Sequence, residues 1–201
     1  GGGSEFEPRN PLQRSFILRR VFFCLQKFFP EGDKMEFWDL VDEQGRFLRT
    51  VRSDGKLKKE EYHFAVEIWP INSQGEILLQ KRSASCRVLP GVWGLTTGRV
   101  QAGETTIQGA VRELREELSL FAAEKELIFL KRIVRKDGTH LIWDVFSYKT
   151  DVQTSTLRLQ PEEVEDVCWI LPEKVVQMAE EGNVYRYPEF YEILNEVIRG
   201  V

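Results

Sequence analysis

The sequence of 201 residues has no long hydrophobic run and only three cysteines. No stretch reaches the roughly 18 uncharged apolar residues that a membrane-spanning helix needs, so we expect no membrane span. Cys24, Cys86 and Cys168 are odd in number and widely spaced, a pattern that fits neither a disulfide framework nor a paired-cysteine zinc site. The cysteines therefore favour a reducing compartment, and we expect a cytoplasmic location.

The sequence also lacks an excess of basic residues. It contains 28 Lys and Arg against 32 Asp and Glu, which gives a formal net charge of −4. A chain of that charge has no overall field to hold a polyanion, so we expect no nucleic-acid partner. Hydrophobic residues make up 42% of the chain, which is enough for the core of one soluble globular domain. Composition does not decide the oligomeric state and leaves a homodimer open.

We expect the first 34 residues to lie outside the domain. Residues 1–6 (GGGSEF) resemble a cloning linker. Residues 12–29 mix aromatic side chains with Arg and Lys, which indicates either an amphipathic helix on a partner or membrane surface, or vector-derived sequence. Met35 opens a strand-like segment and is a candidate native start. We therefore expect a tag and an uncertain extension over residues 1–34, and the domain over residues 35–201.

Strand and helix patterns alternate from Met35 onward. Strand patterns cover residues 36–41, 47–52, 62–71, 76–82, 127–135, 140–149 and 164–171. Helical patterns cover residues 105–118, 172–181 and 188–199. This order predicts an α/β (α+β) protein with a mixed sheet sandwiched between helices.

The helix predicted in the middle of the chain carries the most specific chemistry. Glu113, Glu116 and Glu117 gather within an arc of roughly 100° on its helical wheel. Like charges four residues apart repel, and anions in a last helical turn oppose the helix dipole. Because clustered carboxylates are preferred ligands of Mg²⁺ and Mn²⁺, the pattern predicts a metal site. The alternative is a solvated acidic face with ordinary ion pairs such as Arg112 with Glu116.

The flanking residues extend this pattern. Gly98 is followed after five residues by Glu104, and after seven more by the segment Arg-Glu-Leu-Arg-Glu-Glu at 112–117. This spacing closely resembles the Nudix box: a Gly, five residues, a Glu, seven residues, then Arg-Glu-apolar-x-Glu-Glu-x-Gly-apolar. Ser119 stands where the box has its last Gly. That departure concerns the left-handed end of the helix and not the metal ligands.

The resemblance implies a Nudix fold and the hydrolysis of a nucleoside diphosphate linked to another moiety, with Mg²⁺ or Mn²⁺ as cofactor. It assigns Glu113, Glu116 and Glu117 to the metal, together with the backbone carbonyl of Gly98. The residues themselves agree, since bound cations neutralise a diphosphate and activate a water for attack on phosphorus. We expect Glu113 and Glu117 to be catalytic, with Glu113 as the general base and a small nucleoside diphosphate-type molecule as the substrate.

Other residues receive supporting roles. In many relatives the base comes from a later loop, which makes Glu162 and Glu163 the alternatives to Glu113. Arg82 and Arg99 are the candidate phosphate contacts.

Three residues at or near the helix are expected to support the site without binding the metal. We expect Glu104 and Arg112 to act as braces. Gly109, one turn before the acidic arc, costs about 1 kcal/mol relative to Ala in a helix. We expect its missing side chain to let metal or substrate approach the backbone.

Two other functions compete with hydrolysis. The strand at residues 77–83 and the Pro-Gly-Val-Trp-Gly segment at 90–94 look like the branch of the superfamily near isopentenyl-diphosphate isomerase. The isomerase needs a Cys shortly after that Trp and several His ligands, whereas Leu-Thr-Thr follows at 95–97 and the chain has two His, which argues against isomerisation. The second competitor is an idle Nudix module that binds a ligand without turnover. Loss of box carboxylates would mark it, and none is lost.

Overall fold

The computed structural model describes residues 36–200. The segments discussed at residues 1–6 and 12–29 lie outside the described residues. The strands are β1 (Phe37–Val41), β2 (Phe47–Arg52), β3 (Tyr62–Ile71), β4 (Ile77–Arg82), β5 (Trp93–Gly94), β6 (Thr96–Arg99), β7 (Leu127–Val134), β8 (Leu141–Lys149) and β9 (Val164–Ile170). The helices are α1 (Thr106–Leu118), α2 (Pro172–Glu180) and α3 (Phe190–Arg199).

The strands form one mixed sheet organised around β3. β3 runs parallel to β8 from His63 to Ile71 and antiparallel to β6 and β1. β4 pairs antiparallel with β9 and β5. The parallel pair requires a long crossover between β3 and β8, and α1 lies within it. The sheet topology therefore places α1 directly beside β3 and β6.

Side chains that alternate along β3 divide the core into two layers. Val66 and Ile68 belong to the cluster that α1 covers through Leu114. Trp69 belongs to the opposite cluster, which α2 and α3 cover with residues such as Phe190. This arrangement confirms the expected mixed sheet between helices. No helix within residues 36–200 is long and apolar enough to cross a membrane.

The predicted elements agree with the structure except at two places. The loop expected after β4 contains the short strands β5 and β6, whose two and four residues are too few for an alternating pattern to be visible. The last helix begins at Phe190 instead of Pro188. Pro188 and Glu189 form a turn in which the N–H of Phe190 donates to the carbonyl of Tyr187 at 3.1 Å, so the helix starts two residues later than expected.

Candidate active site

Helix α1 is fixed at its start by a capping box and along one side by its apolar stripe. The Thr105 hydroxyl accepts a hydrogen bond from the Gln108 N–H, and the Gln108 side chain accepts one from the Thr105 N–H. These bonds satisfy two of the open N–H groups of the first turn. Ala110, Leu114 and Leu118 are fully or nearly fully buried against the sheet. The rotation of the helix about its axis is thereby set, and with it the direction of the acidic residues.

Gly98 on β6 lies directly against the carboxyl group of Glu113. Gly98 pairs with Val66, which belongs to the core layer under α1. A Cβ atom at Gly98 would lie 1.9 Å from Cδ and 2.0 Å from Oε1 of Glu113. Side-chain carbons do not approach other atoms this closely. Only glycine therefore allows the Glu113 carboxyl group to lie beside the backbone of residue 98.

Arg112 braces the loop before α1 and contacts two of the expected metal ligands. Its guanidinium donates to the two carboxyl oxygens of Glu104 at 2.9 and 3.1 Å and to the carbonyl of Arg99 at 2.7 Å. These are the bonds of the expected brace. Its Nη1 also donates to Oε1 of Glu113 at 2.8 Å and to Oε2 of Glu116 at 3.0 Å. The ion pair of the alternative reading, Arg112 with Glu116, is thus present as well.

Glu117 is buried and receives a chain of hydrogen bonds from the sheet. The residue is 5% exposed, and its Oε2 accepts a hydrogen bond of 2.7 Å from Nε2 of Gln80. Oε1 of Gln80 in turn accepts one of 2.9 Å from the Thr96 hydroxyl. Sequence reasoning missed Gln80 and Thr96. The sequence feature that could have pointed to Gln80 is its place directly after the apolar run at residues 77–79. A polar residue there is unusual because this part of the strand is buried on both faces.

The charged forms of Glu113 and Glu117 are both disfavoured in the protein alone. Burial raises the pKa of Glu113 to about 7, against the opposing pull of Arg112. Burial, followed by the neighbouring charge of Glu113, raises the pKa of Glu117 well above its usual value. The two carboxylates are adjacent and have too little positive charge around them. Such a pair is suited to bind a hard divalent cation, which would favour the ionised form of each.

Glu116 is oriented differently from the other two glutamates. Its side chain is 42% exposed and bonded to Arg112, whereas that of Glu113 is 13% exposed. Across residues 36–200, no three acidic, histidine or cysteine side chains stand in a ready-made ligating arrangement. The structure places Glu113 against Gly98 and Glu117 within electrostatic range of Glu113. Glu116 would join them only by exchanging its bond with Arg112 for the cation.

Arg82 at the end of β4 lies near the acidic cluster, together with Glu163. Its Nη2 is 3.7 Å from Oε2 of Glu163, and its Nε is held by a loop carbonyl at 2.9 Å. Both charges act on the pKa of Glu117: Glu163 raises it and Arg82 lowers it. Glu162 contacts the loop after β4 through its backbone carbonyl, which accepts from Ser85. Of the two later-loop alternatives for the base, Glu163 is the one whose carboxylate is shown within electrostatic range of the cluster.

Arg99 lies on the other face of β6. Gly98 faces α1, whereas Arg99, the next residue, pairs with Ala65 in the core layer under α2 and α3. The Arg99 guanidinium lies over the ring of Trp38, 4.7 Å from its centroid. The two candidate phosphate contacts are therefore not brought together, since only Arg82 lies on the side of the carboxylates.

The space beside Gly109 is filled by packing. A Cβ atom at Gly109 would lie 3.2 Å from Cγ2 of Val100 and 3.6 Å from Oε2 of Glu104. The expectation that metal or substrate approaches the backbone here is wrong, because the loop before the helix occupies that space. Glycine at this position instead allows close contact between α1 and the loop.

Ser119 ends α1 in the left-handed conformation that the glycine of the Nudix box would adopt. Its φ and ψ are 52° and 32°. Its N–H donates to the carbonyl of Arg115 at 3.0 Å, and the N–H of Leu120 donates to the carbonyl of Leu114 at 3.1 Å. These are bonds of a left-handed helix cap. The helix end is thus preserved, with a residue for which this conformation costs roughly 1–2 kcal/mol.

Comparison with known proteins agrees with this geometry. The NUDIX domain family model matches residues 61–192. A Nudix hydrolase of Listeria innocua is 34% identical over 158 residues, which cover 76% of this chain and 90% of the relative. One of Pseudomonas aeruginosa is 36% identical over 143 residues, covering 69% and 80%. The Deinococcus radiodurans protein DR0079 superposes with a TM-score of 0.65 at 24% identity over 81% of this chain and 99% of that chain. The Nudix domain of Shewanella oneidensis NrtR, solved with ADP ribose, gives 0.51 at 18% identity over 66% and 83%.

A mixed sheet between helices, with a glycine packed against the acidic end of the central helix, is an arrangement of the Nudix fold. The chain belongs to the Nudix family. It is an enzyme of the Nudix pyrophosphohydrolase type, a class that generally uses divalent cations. The solved structures establish the fold, and the relatives of higher identity establish the class.

Proposed function

We propose that the protein hydrolyses the diphosphate linkage of a nucleoside diphosphate derivative, with Mg²⁺ or Mn²⁺ as the cofactor. Water attacks one phosphorus atom, the bond from that phosphorus to the bridging oxygen breaks, and two phosphorylated products leave. Glu113, Glu117 and the carbonyl of Gly98 would hold the cation, with Glu116 as a further ligand. The proton of the attacking water passes to a carboxylate of this chain.

The observation that carries the proposal is the contact between Glu113 and Gly98. It places a buried carboxyl group against a bare stretch of backbone, where no other side chain fits. Glu117 lies next to this pair, and each carboxylate is harder to ionise because of burial and of the other's charge. When bound, a divalent cation supplies charge for the diphosphate oxygens and acidifies water. This donor set is therefore suited to the chemistry of the class.

We propose Glu113 and Glu163 as the two candidates for the general base. Glu113 is a candidate because it lies beside Glu117 in the acidic cluster, within range of its charge. However, Oε1 of Glu113 also accepts a bond from Arg112. The Glu163 side chain is 45% exposed and is accessible to water. Single substitutions at the two positions separate these roles.

We propose that Arg82 contacts the diphosphate and that Arg99 contacts the group linked to it. Arg82 is 25% exposed and lies beside the carboxylates that would hold the cation. A guanidinium in this place would neutralise a phosphate oxygen and form directed hydrogen bonds to it. Arg99 projects from the opposite face of β6, away from the carboxylates, with its guanidinium over the ring of Trp38.

The test is a substrate panel with the purified protein. The panel contains nucleoside diphosphate sugars, dinucleoside polyphosphates and ADP ribose, the last because a Nudix domain of the same fold binds it. Each compound is incubated at mildly alkaline pH with Mg²⁺, with Mn²⁺ or with a chelator, and products are separated by ion-exchange chromatography. We expect phosphorylated products from at least one compound, lost on chelation.

Two other outcomes would replace the proposal. If no compound is turned over but one binds tightly, the protein is a ligand-binding module. Isopentenyl diphosphate is assayed separately under the same conditions; if it is converted to its allylic isomer and no compound of the panel is cleaved, the protein is an isomerase.

A further inference from the structure

Three polar side chains form an unbroken hydrogen-bonded line from β6 through β4 to the end of α1. The hydroxyl of Thr96 donates to Gln80, and the amide of Gln80 donates to Glu117. The residues are 2%, 3% and 5% exposed in that order. Their neighbours in this layer include the fully buried Leu114 and Ile68. The line therefore crosses an apolar layer of the core.

Polar side chains are unfavourable in an apolar layer unless they form hydrogen bonds. A buried amide or hydroxyl left without a partner costs about 1–3 kcal/mol, and a hydrogen bond between two buried groups offsets that cost with little surplus. Apolar residues of similar volume would fill the same space without the cost. Gln80 and Thr96 therefore add little to stability, and their effect is to restrict orientation.

The direction of the line suits its last member. The NH₂ group of Gln80 faces Oε2 of Glu117 and its carbonyl oxygen faces Thr96, which suits the ionised, metal-binding form of Glu117 because a carboxylate only accepts hydrogen bonds. The Thr96 hydroxyl donates to that carbonyl, so that the amide is held between two partners. With Oε2 engaged in this way, the orientation of the whole carboxyl group is fixed and Oε1 remains to accept another partner.

We propose that Gln80 and Thr96 are positioning residues that hold Glu117 in the orientation in which it binds the divalent cation. This inference rests on the proposed metal site. Gln80 lies two residues before Arg82 on β4, and Thr96 lies two residues before Gly98 on β6. The line thus ties the two strands that carry other parts of the site to the carboxylate on α1. Hydrogen-bond partners of metal ligands typically contribute about 10–100-fold to metal affinity or activity.

The test measures Mn²⁺ binding directly, from the electron paramagnetic resonance signal of unbound Mn²⁺, with turnover measured alongside. Gln80→Leu removes the donor at similar volume and should raise the Kd for Mn²⁺ by about 10–100-fold. Thr96→Val should raise it less, because the amide still reaches Glu117 but has lost its second hydrogen-bond partner. Thr96→Ser keeps the hydroxyl and should bind Mn²⁺ as the unsubstituted protein does.

Asn72→Ala is the matched control. Asn72 is 6% exposed and donates to the carboxylate of Glu76 at 2.7 Å, in the turn between β3 and β4. Loss of this buried amide should lower the melting temperature and leave Mn²⁺ affinity unchanged.

The outcomes separate the two proposals. If the unsubstituted protein does not bind Mn²⁺, the metal site itself is refuted, and the positioning role with it. If it binds Mn²⁺ and folded Gln80→Leu binds equally well, the positioning role alone is overturned. Should Gln80→Leu not fold, equal Mn²⁺ affinity of Thr96→Val and Thr96→Ser overturns the positioning role in the same way.

Discussion

The chain buries carboxylates in two contrasting ways. Glu61, before β3, is 5% exposed and accepts two hydrogen bonds from Arg49, at 2.9 and 2.8 Å. The bond with Arg49 lowers the pKa of Glu61 to about 2, against the effect of burial. Glu117 is equally buried, but its direct partner is the neutral amide of Gln80. Burial and the charge of Glu113 raise the pKa of Glu117 well above its usual value.

The two sites differ in the source of the positive charge that compensates the buried carboxylates. At Glu61 the chain supplies a cation of its own, so the ionised carboxylate contributes to the folded structure. At the second site Arg112 is shared among Glu104, Glu113 and Glu116, and Glu117 is bonded to the neutral amide of Gln80. A carboxylate pair that folds with insufficient positive charge is destabilising unless something from outside neutralises it. We interpret the first arrangement as structural and the second as prepared for a metal ion.

The strongest test of this contrast substitutes each glutamate by glutamine. Glu117→Gln should lower kcat by about 10³-fold or more, since a metal ligand supplies several kcal/mol of transition-state stabilisation. The same substitution should raise the melting temperature in the presence of a chelator, because it removes a poorly compensated charge. Steady-state kinetics and thermal unfolding with EDTA measure the two effects.

Glu61→Gln is the corresponding substitution at the structural carboxylate, and it should lower the stability of the protein without lowering kcat. It weakens charge-assisted bonds with Arg49 and should cost about 1–3 kcal/mol of stability, while kcat stays near that of the unsubstituted protein. The contrast between a structural Glu61 and a metal-binding Glu117 is contradicted if Glu61→Gln and Glu117→Gln change stability in the same direction. It is also contradicted if Glu117→Gln retains full activity.

The second test concerns the carboxylates at the edge of the cluster. If Glu163 is the base, Glu163→Gln should lower kcat by about 10²-fold, the lower range of general-base contributions. Glu162→Gln is the adjacent control and should have little effect on kcat, because Glu162 contacts Ser85 through its backbone carbonyl. If Glu163→Gln keeps its activity, the role of the base passes to Glu113.

The third test uses pH. The folded-state pKa of Glu113, about 7, lies above its ordinary value of 4.5, so between these values the folded protein binds more protons than the unfolded chain. Stability from this group is therefore fully present below pH 4.5 and is lost as pH rises through 7, a change of roughly 3 kcal/mol. The raised pKa of Glu117 acts in the same direction.

Bound metal requires ionised ligands and should reverse this loss. Thermal unfolding between pH 5 and pH 8, with EDTA or with Mn²⁺, should show a metal-induced gain in melting temperature that is larger at pH 8 than at pH 5. A gain that is the same at both pH values would contradict the assignment of these two carboxylates.

Local patterns were sufficient for the fold but not for the contacts between distant residues. The strand and helix patterns predicted the order of the elements, because each pattern depends on residues close in sequence. The hydrogen bond between Gln80 and Glu117 joins positions 37 residues apart, and no local period encodes it. The separation of Arg82 from Arg99 likewise depends on strand register. Two arginines equally suited to phosphate in the sequence project on different sides of the sheet.

The roles of two glycines show the same limit. Gly98 and Gly109 are both unfavourable choices for their elements on propensity alone. The sequence resemblance implied a metal-binding carbonyl for the first, and the structure shows a carboxyl group of Glu113 against it. For the second the sequence suggested access to a ligand, whereas Val100 takes the space. Which neighbour occupies the room beside a glycine is decided by tertiary packing.

The smallest expected effect lies at the end of α1, one residue beyond its last turn. Ser119→Gly places the residue that favours a positive φ at a position with φ of 52°, and should stabilise the protein by about 0.5–1 kcal/mol. The gain is limited because glycine also increases the entropy of the unfolded chain. Chemical denaturation measures it. Because Ser119 supplies only a helix cap and no charge near the carboxylates, kcat and Mn²⁺ affinity should not change. A change in either would show that the end of the helix tunes the acidic cluster and does not merely terminate it.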